Sequence, residues 1–181
     1  MKRIVLPVAM SVLCVTAAHA QFTLSSKEVH GNQQMPKAQE FKGMDCTGSN
    51  MSPQLEWKGA PAGTKSFALT IYDPDAPTGS GWWHWVVYNI PASAKGVAAG
   101  AGSAGGTLPA GAKQGNTDFG APGFGGACPP KGDKPHHYIF TLTALNVESL
   151  DIPAGATAAY VGFNVHAHTI AKATFTALYS R

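Results

Sequence analysis

Three short stretches of this sequence hold side chains able to do chemistry at close spacing. The first is Asp73-Pro74-Asp75-Ala76-Pro77, where two prolines in five residues fix the backbone and push the residue before each of them toward extended geometry. Carboxylates on such a turn are held in place before any ligand arrives, although a rigid turn carrying solvated acids would read the same way. The second is His84, set between Trp83 and Trp85 in an apolar run. A histidine in a buried strand needs a polar partner, and Asp73 ends the neighbouring candidate strand. The third is residues 123–138, GFGGACPPKGDKPHHY. Gly125-Gly126 permits close backbone approach and leaves amides able to face a ligand, Pro129-Pro130 stiffens the exit, and His136, His137 and Tyr138 follow. Imidazoles, a phenol and amides suit an anion, with Asp73 setting the charge and orientation of a histidine.

Several other chemistries find no support in the sequence. A G-x-S-x-G elbow is absent, and neither G-x-G-x-x-G after a strand nor G-x-x-x-x-G-K-[ST] occurs, so neither a serine hydrolase nor a nucleotide cofactor is indicated and no cofactor is expected. His166-Ala167-His168 falls in a candidate helix, where an i, i+2 pair points to different sides, and His136-His137 diverges in a strand; no metal site is expected. Asp73 with two histidines could serve a hydrolase as acid and base, but no nucleophile accompanies them.

The elements that must position these residues are mostly strands. Residues 65–73 (KSFALTIYD) alternate with a period of two, and residues 83–90 (WHWVVYNI) are aromatic and β-branched. The short link between them, with its prolines and glycines, favours an antiparallel pair. Alternation places His84 on one face with Val86 and both flanking tryptophans on the other. Residues 137–145 and 173–179 are further strand candidates. One helix is expected over residues 164–172, capped by Asn164 with Val165 and Ile170 facing inward. Residues 96–126 are glycine-rich, and their first half, 96–106, reads as a flexible surface loop.

The chain has 181 residues with 21 Gly and 13 Pro, and only 13% of them are charged. One domain fits that length. With 13 basic against 10 acidic residues and no long cluster of either, nucleic-acid binding through a basic face is excluded. Lys2-Arg3, an apolar run over residues 4–18 and Ala18-His19-Ala20 form a secretory signal pattern over residues 1–20, leaving residues 21–181 as the domain. The run is short for a spanning helix, so no transmembrane anchor is expected; a retained anchor is the alternative. Export to the periplasm or medium would remove Cys14 and leave Cys46 and Cys128 to form a disulfide or remain separate buried thiols.

These stretches together resemble the phosphatidylethanolamine-binding protein family, in its bacterial Raf-kinase-inhibitor-like branch. The likeness runs through CTGSNMSPQLEW (46–57), DPDAPTGSGWWHWVVYNIP (73–91), FGGACPPKGDKPHHYIFTLTALN (124–146) and the closing HTIAKATFTALYSR. It implies a mostly β fold, two antiparallel sheets in a Greek-key sandwich, with a small peripheral helix near the C-terminus. It also implies a pocket for phosphate or a phosphorylated small molecule or lipid head group. Carried over residue by residue, the ligand-binding positions are Asp73, Asp75, His84, Gly126, Pro129, His136 and Tyr138, with Pro130 beside them. Histidine donors, the Tyr138 hydroxyl and the Gly126 amide would surround the anion, and binding would weaken above neutral pH as the histidines lose protons. His137 stands where the family usually has arginine, which removes a permanent charge near the rim. A homodimer fits the resemblance, and a protein partner regulated or inhibited through the surface is the alternative to small-anion binding. Catalysis is not expected.

Overall fold

The computed structural model describes residues 21–181, so the expected signal segment lies outside the described residues. Along the chain come β1 (Thr23–Ser25), β2 (Lys42–Gly43), β3 (Cys46–Thr47), β4 (Leu55–Lys58), β5 (Ser66–Asp73) and β6 (Trp82–Pro91). Then follow β7 (Gly96–Val97), β8 (Lys113–Gln114), β9 (His136–Leu145), α1 (Ala158–Ala167) and β10 (Thr169–Tyr179). A five-stranded antiparallel sheet has the order β10-β9-β5-β6-β8, and a three-stranded sheet, β1-β4-β7, faces it. The chain passes between these two sheets from β4 to β5 and again on either side of β7. β2 and β3 form a separate hairpin.

β5 lies at the centre of the large sheet and is buried almost throughout. Its alternation therefore sorts two apolar faces rather than an apolar and a polar one. Phe67, Leu69 and Ile71 join Trp85, Val87, Phe140 and Leu142 in the core shared with Leu55 and Trp57 of the small sheet. Ala68 joins Val86, Tyr88 and Leu145 under the helix. Burial of such side chains, each contributing roughly 1.5–3 kcal/mol, is what holds the layers together.

The helix starts earlier than the sequence suggests. Thr157 is its cap, its side chain accepting from the Tyr160 amide at 3.2 Å, and Ala158, Val161 and Val165 are the inward positions. Asn164, expected as the cap, sits inside the helix and donates to the Tyr160 carbonyl at 2.9 Å. Ile170, expected inward on the helix, belongs to β10, where it is partly exposed at a register irregularity. The reason is the ladder of β10 on β9, which begins at Thr169↔Leu145 and claims the residues that the helix reading took.

A second correction concerns residues 96–106. Val97 and Ala101 are buried in the main core. Ser52 pins the segment, its carbonyl taking the Gly100 amide at 2.7 Å and its hydroxyl the Gly102 amide at 2.9 Å. A Cβ on Gly102 would come within 2.3 Å of the Trp85 ring. The glycines here permit close packing on an indole, so this is no loose surface loop.

The third correction sits on β6. Tyr72 pairs with Trp83 and Ile71 with Trp85, leaving His84 as an extra residue in a bulge. The bulge turns His84 to the face that carries Trp85, away from Val86, reversing the facing expected from strict alternation.

Cys46 and Cys128 form a disulfide, tying the β2-β3 hairpin to the segment before β9 across 82 positions. Replacing both by serine should cost roughly 2–5 kcal/mol, the usual range for a native bridge in a small domain. Urea unfolding of the double variant reads this, and an unchanged midpoint would contradict it.

Candidate functional site

Asp73 ends β5 with its side chain buried. Its Oδ1 accepts from the amides of Asp75 at 2.8 Å and Ala76 at 3.2 Å, which folds the proline-bearing turn onto the strand end. Its Oδ2 accepts from Nδ1 of His136 at 2.8 Å. The histidine that Asp73 orients is therefore His136, at the start of β9, whose Nε2 lies 3.5 Å from Oδ2 of Asp133.

Asp75 takes a different part. Its Oδ2 accepts from both the backbone amide and Nδ1 of His137, each at 2.7 Å, which fastens the turn to β9 at the surface. Burial pulls the Asp75 carboxyl up, but these two bonds and the charges of His137 and His136 outweigh it and hold the group below its usual value. Asp75 does not line the cavity described below. His137, where the resemblance leads one to expect arginine, closes this clasp.

His84 is buried, with Nδ1 2.8 Å from the carbonyl oxygen of Gly125. A carbonyl only accepts, so Nδ1 carries the proton, and in the neutral ring Nε2 bears a lone pair. Burial lowers the His84 pKa from its ordinary value, and the Gly125 carbonyl and the Asp73 charge recover only part of that. The expected role of His84 as a donor to an anion is thus replaced: its donor faces the scaffold. The ring stands edge-on to Tyr138 and Phe119, with centroids at 5.0 and 5.5 Å.

Tyr138 is 1% exposed, and its hydroxyl has no hydrogen-bond partner among the described residues. Burial first, then the nearby Asp73 carboxylate, pushes its pKa far up, so the phenol keeps its proton and can donate.

Gly126 is needed for space. A Cβ there would come within 2.3 Å of the Gln39 carbonyl. Its amide donates to Oδ1 of Asn50 at 2.7 Å, and the Gly125 amide donates to the His84 carbonyl at 2.8 Å. The amides expected to greet an anion are already engaged in holding the loop. Pro129 stands on the wall with Pro130, its carbonyl accepting from Nε of Arg181 at 2.5 Å.

These groups surround a cavity of about 200 Å³. His84, His136, Tyr138 and Asp73 supply its polar surface, while Trp82, Phe119, Pro129 and Met44 are among its apolar walls. Among the described residues no Lys or Arg lines it. Of the three neighbouring tryptophans, Trp82 faces the cavity, Trp83 packs at a tilt against Tyr72 with ring centroids 4.5 Å apart, and Trp85 is in the core. Sequence reasoning missed Phe119, Met44, Asn50 and Asp133. Only Asp133, three residues before His136, carried a spacing that could have drawn notice.

The shift at His84 has a consequence for stability. The unfolded imidazole titrates near 6.5 and the folded one lower. Between those values the unfolded chain binds more protons, so the contribution of neutral His84 is complete above about pH 6.5 and is lost as pH falls below it. Urea midpoints at about pH 5 and about pH 7.5 should therefore differ more for wild type than for His84→Asn. Equal differences in both proteins would contradict this account.

Comparison with known proteins agrees with this architecture. The family described as phosphatidylethanolamine-binding protein matches residues 25–180. YbcL of Escherichia coli K12 is 48% identical over 180 residues, covering 99% of this chain and 98% of YbcL. YbhB of the same organism is 51% identical over 157 residues, covering 87% of this chain and 99% of YbhB. The crystal structure of E. coli YbcL superposes with a TM-score of 0.87 at 52% identity, covering 90% of this chain and 99% of that one. A homologue from Chlamydia trachomatis, CT736, superposes at 0.74 with 29% identity, covering 88% of this chain and 97% of its own. With the family match, the relatives and the fold in agreement over nearly the whole chain, the protein belongs to the phosphatidylethanolamine-binding protein family.

Proposed function

We propose that the protein is exported and binds a small oxyanion, phosphate or the phosphoryl part of a larger molecule, in the cavity at the end of β5 and β9. The observation that carries this reading is the Tyr138 hydroxyl, a buried donor without a partner, beside an imidazole held by Asp73. A buried polar group left unpaired costs about 1–3 kcal/mol. A ligand oxygen at Tyr138 removes that cost. His136 turns Nδ1–H to Asp73 and lines the same cavity. Charge-assisted bonds of this kind are short and about twice as strong as neutral ones. The apolar walls strengthen them by keeping water away.

The family description names a phospholipid, whose phosphate is a diester, and a soluble phosphate ester offers the same anionic oxygens. Binding rather than catalysis is the proposed activity: among the described residues the Cys128 sulfur is consumed in the disulfide and the Thr78 hydroxyl on the wall donates to the Gly81 carbonyl. The leader pattern of residues 1–20 and the presence of a disulfide support export. Among the described residues no helix is long and apolar enough to cross a membrane.

Calorimetric titration of inorganic phosphate into wild type and Tyr138→Phe near neutral pH tests the reading. Losing one hydrogen bond to a charged ligand, worth about 1.5–3 kcal/mol, should weaken binding by roughly tenfold or more. Equal affinities would remove Tyr138 from the site, and absence of binding to wild type would refute the proposal.

A further inference from the structure

The cavity asks its ligand for two opposite things. Tyr138 offers a proton and makes no hydrogen bond of good geometry, with the Asp73 carboxylate nearby. His84, whose Nδ1–H is committed to the Gly125 carbonyl, lines the cavity, and its Nε2 can only accept while the ring is neutral. A fully ionised oxyanion is acceptor-only. It could satisfy Tyr138 but would set a negative oxygen against a lone pair at His84.

The charged surroundings make the same demand. The titratable groups facing His84 are Asp73 from β5, Asp118 from the loop before Gly125, and Tyr138 from β9. Asp118 is itself bound to the Trp83 amide at 2.7 Å. His136 is the one further imidazole on the wall. It faces Asp73 through Nδ1 and Asp133 through Nε2. His136 is thus already answered by two carboxylates, and among the described residues no lysine or arginine lines the cavity to balance a dianion.

We infer that the cavity selects the singly protonated monoanion of a phosphate monoester, its P–OH donating to Nε2 of His84 while an unprotonated oxygen accepts from Tyr138. This rests on the oxyanion reading of the same cavity and adds to it the ionic form of the ligand. Two consequences separate ligand classes. A phosphate diester is also a monoanion but has no P–OH, so it leaves His84 unsatisfied. A monoester dianion must first acquire a proton, so its binding draws one from the buffer.

Calorimetry on the full chain with methyl phosphate and dimethyl phosphate tests this directly. At about pH 5 both are monoanions, the monoester losing its second proton only near pH ~6. Methyl phosphate should bind at least about tenfold more tightly than the diester there. Above about pH 6 its affinity should fall about tenfold per pH unit, with uptake approaching one proton per ligand in buffers of different ionisation heat. Proton uptake by a group of the protein itself would appear equally with the diester, which therefore serves as the control. Equal affinities at about pH 5, or methyl phosphate binding that persists unchanged to about pH 8, would overturn the inference and leave the oxyanion reading standing. If neither ester binds at any pH, both fall.

Discussion

The imidazole of His84 occupies a place that a core side chain would normally fill, and the sheet can carry it there only because the Gly125 carbonyl takes its Nδ1 proton. Much of the site follows from that one bond. It requires the loop through Gly125 and Gly126 to lie directly against β6, which in turn requires glycine where the loop crosses Gln39. It requires the bulge in β6, because without the extra residue the ring would point toward the helix layer. It also decides which nitrogen the ring offers to the cavity. A buried histidine with no partner would cost about as much as a lost hydrogen bond or more. The constraint is therefore structural first and functional by consequence.

Asp73 plays the complementary part at the other side of the cavity. One carboxylate receives two amides of its own turn and the Nδ1 proton of His136, so the turn, the strand end and the histidine are held by a single buried group. Asp75 and His137 repeat the connection at the surface, where solvent weakens it. Asn50, Gln39 and Arg181 restrain the facing loop. Most donors near the cavity are thus spent on the scaffold before a ligand arrives. Such a site is selective because few groups remain, and those that remain are fixed in role.

Much of this was legible in the sequence, for physical reasons that differ from element to element. The strands at 65–73, 83–90 and 137–145 correspond to Ser66–Asp73, Trp82–Pro91 and His136–Leu145 because a sandwich layer imposes a period of two or a continuous apolar run. Asp73, His136 and Tyr138 could be grouped because turn prolines and strand ends announce where side chains become available. The direction of His84 could not, since a bulge shifts facing by one residue without leaving a mark in composition. The helix was misplaced because Thr157 and Asn164 are both acceptable caps, and only the pairing of β10 with β9 chooses between them. The commitment of the Gly125 and Gly126 amides depends on Asn50 and His84, distant in sequence, and no local pattern reports it.

What the cavity can bind depends on the ionic form and tautomer of one ring, that of His84. Nitrogen-15 NMR of the histidine side chains, with His84 assigned by substitution, reads both at once in the protein without added phosphate. At neutral pH the account predicts a neutral His84 with its proton on Nδ1 and a bare Nε2. A His84 protonated on Nε2, either as the other tautomer or as the imidazolium, would contradict it.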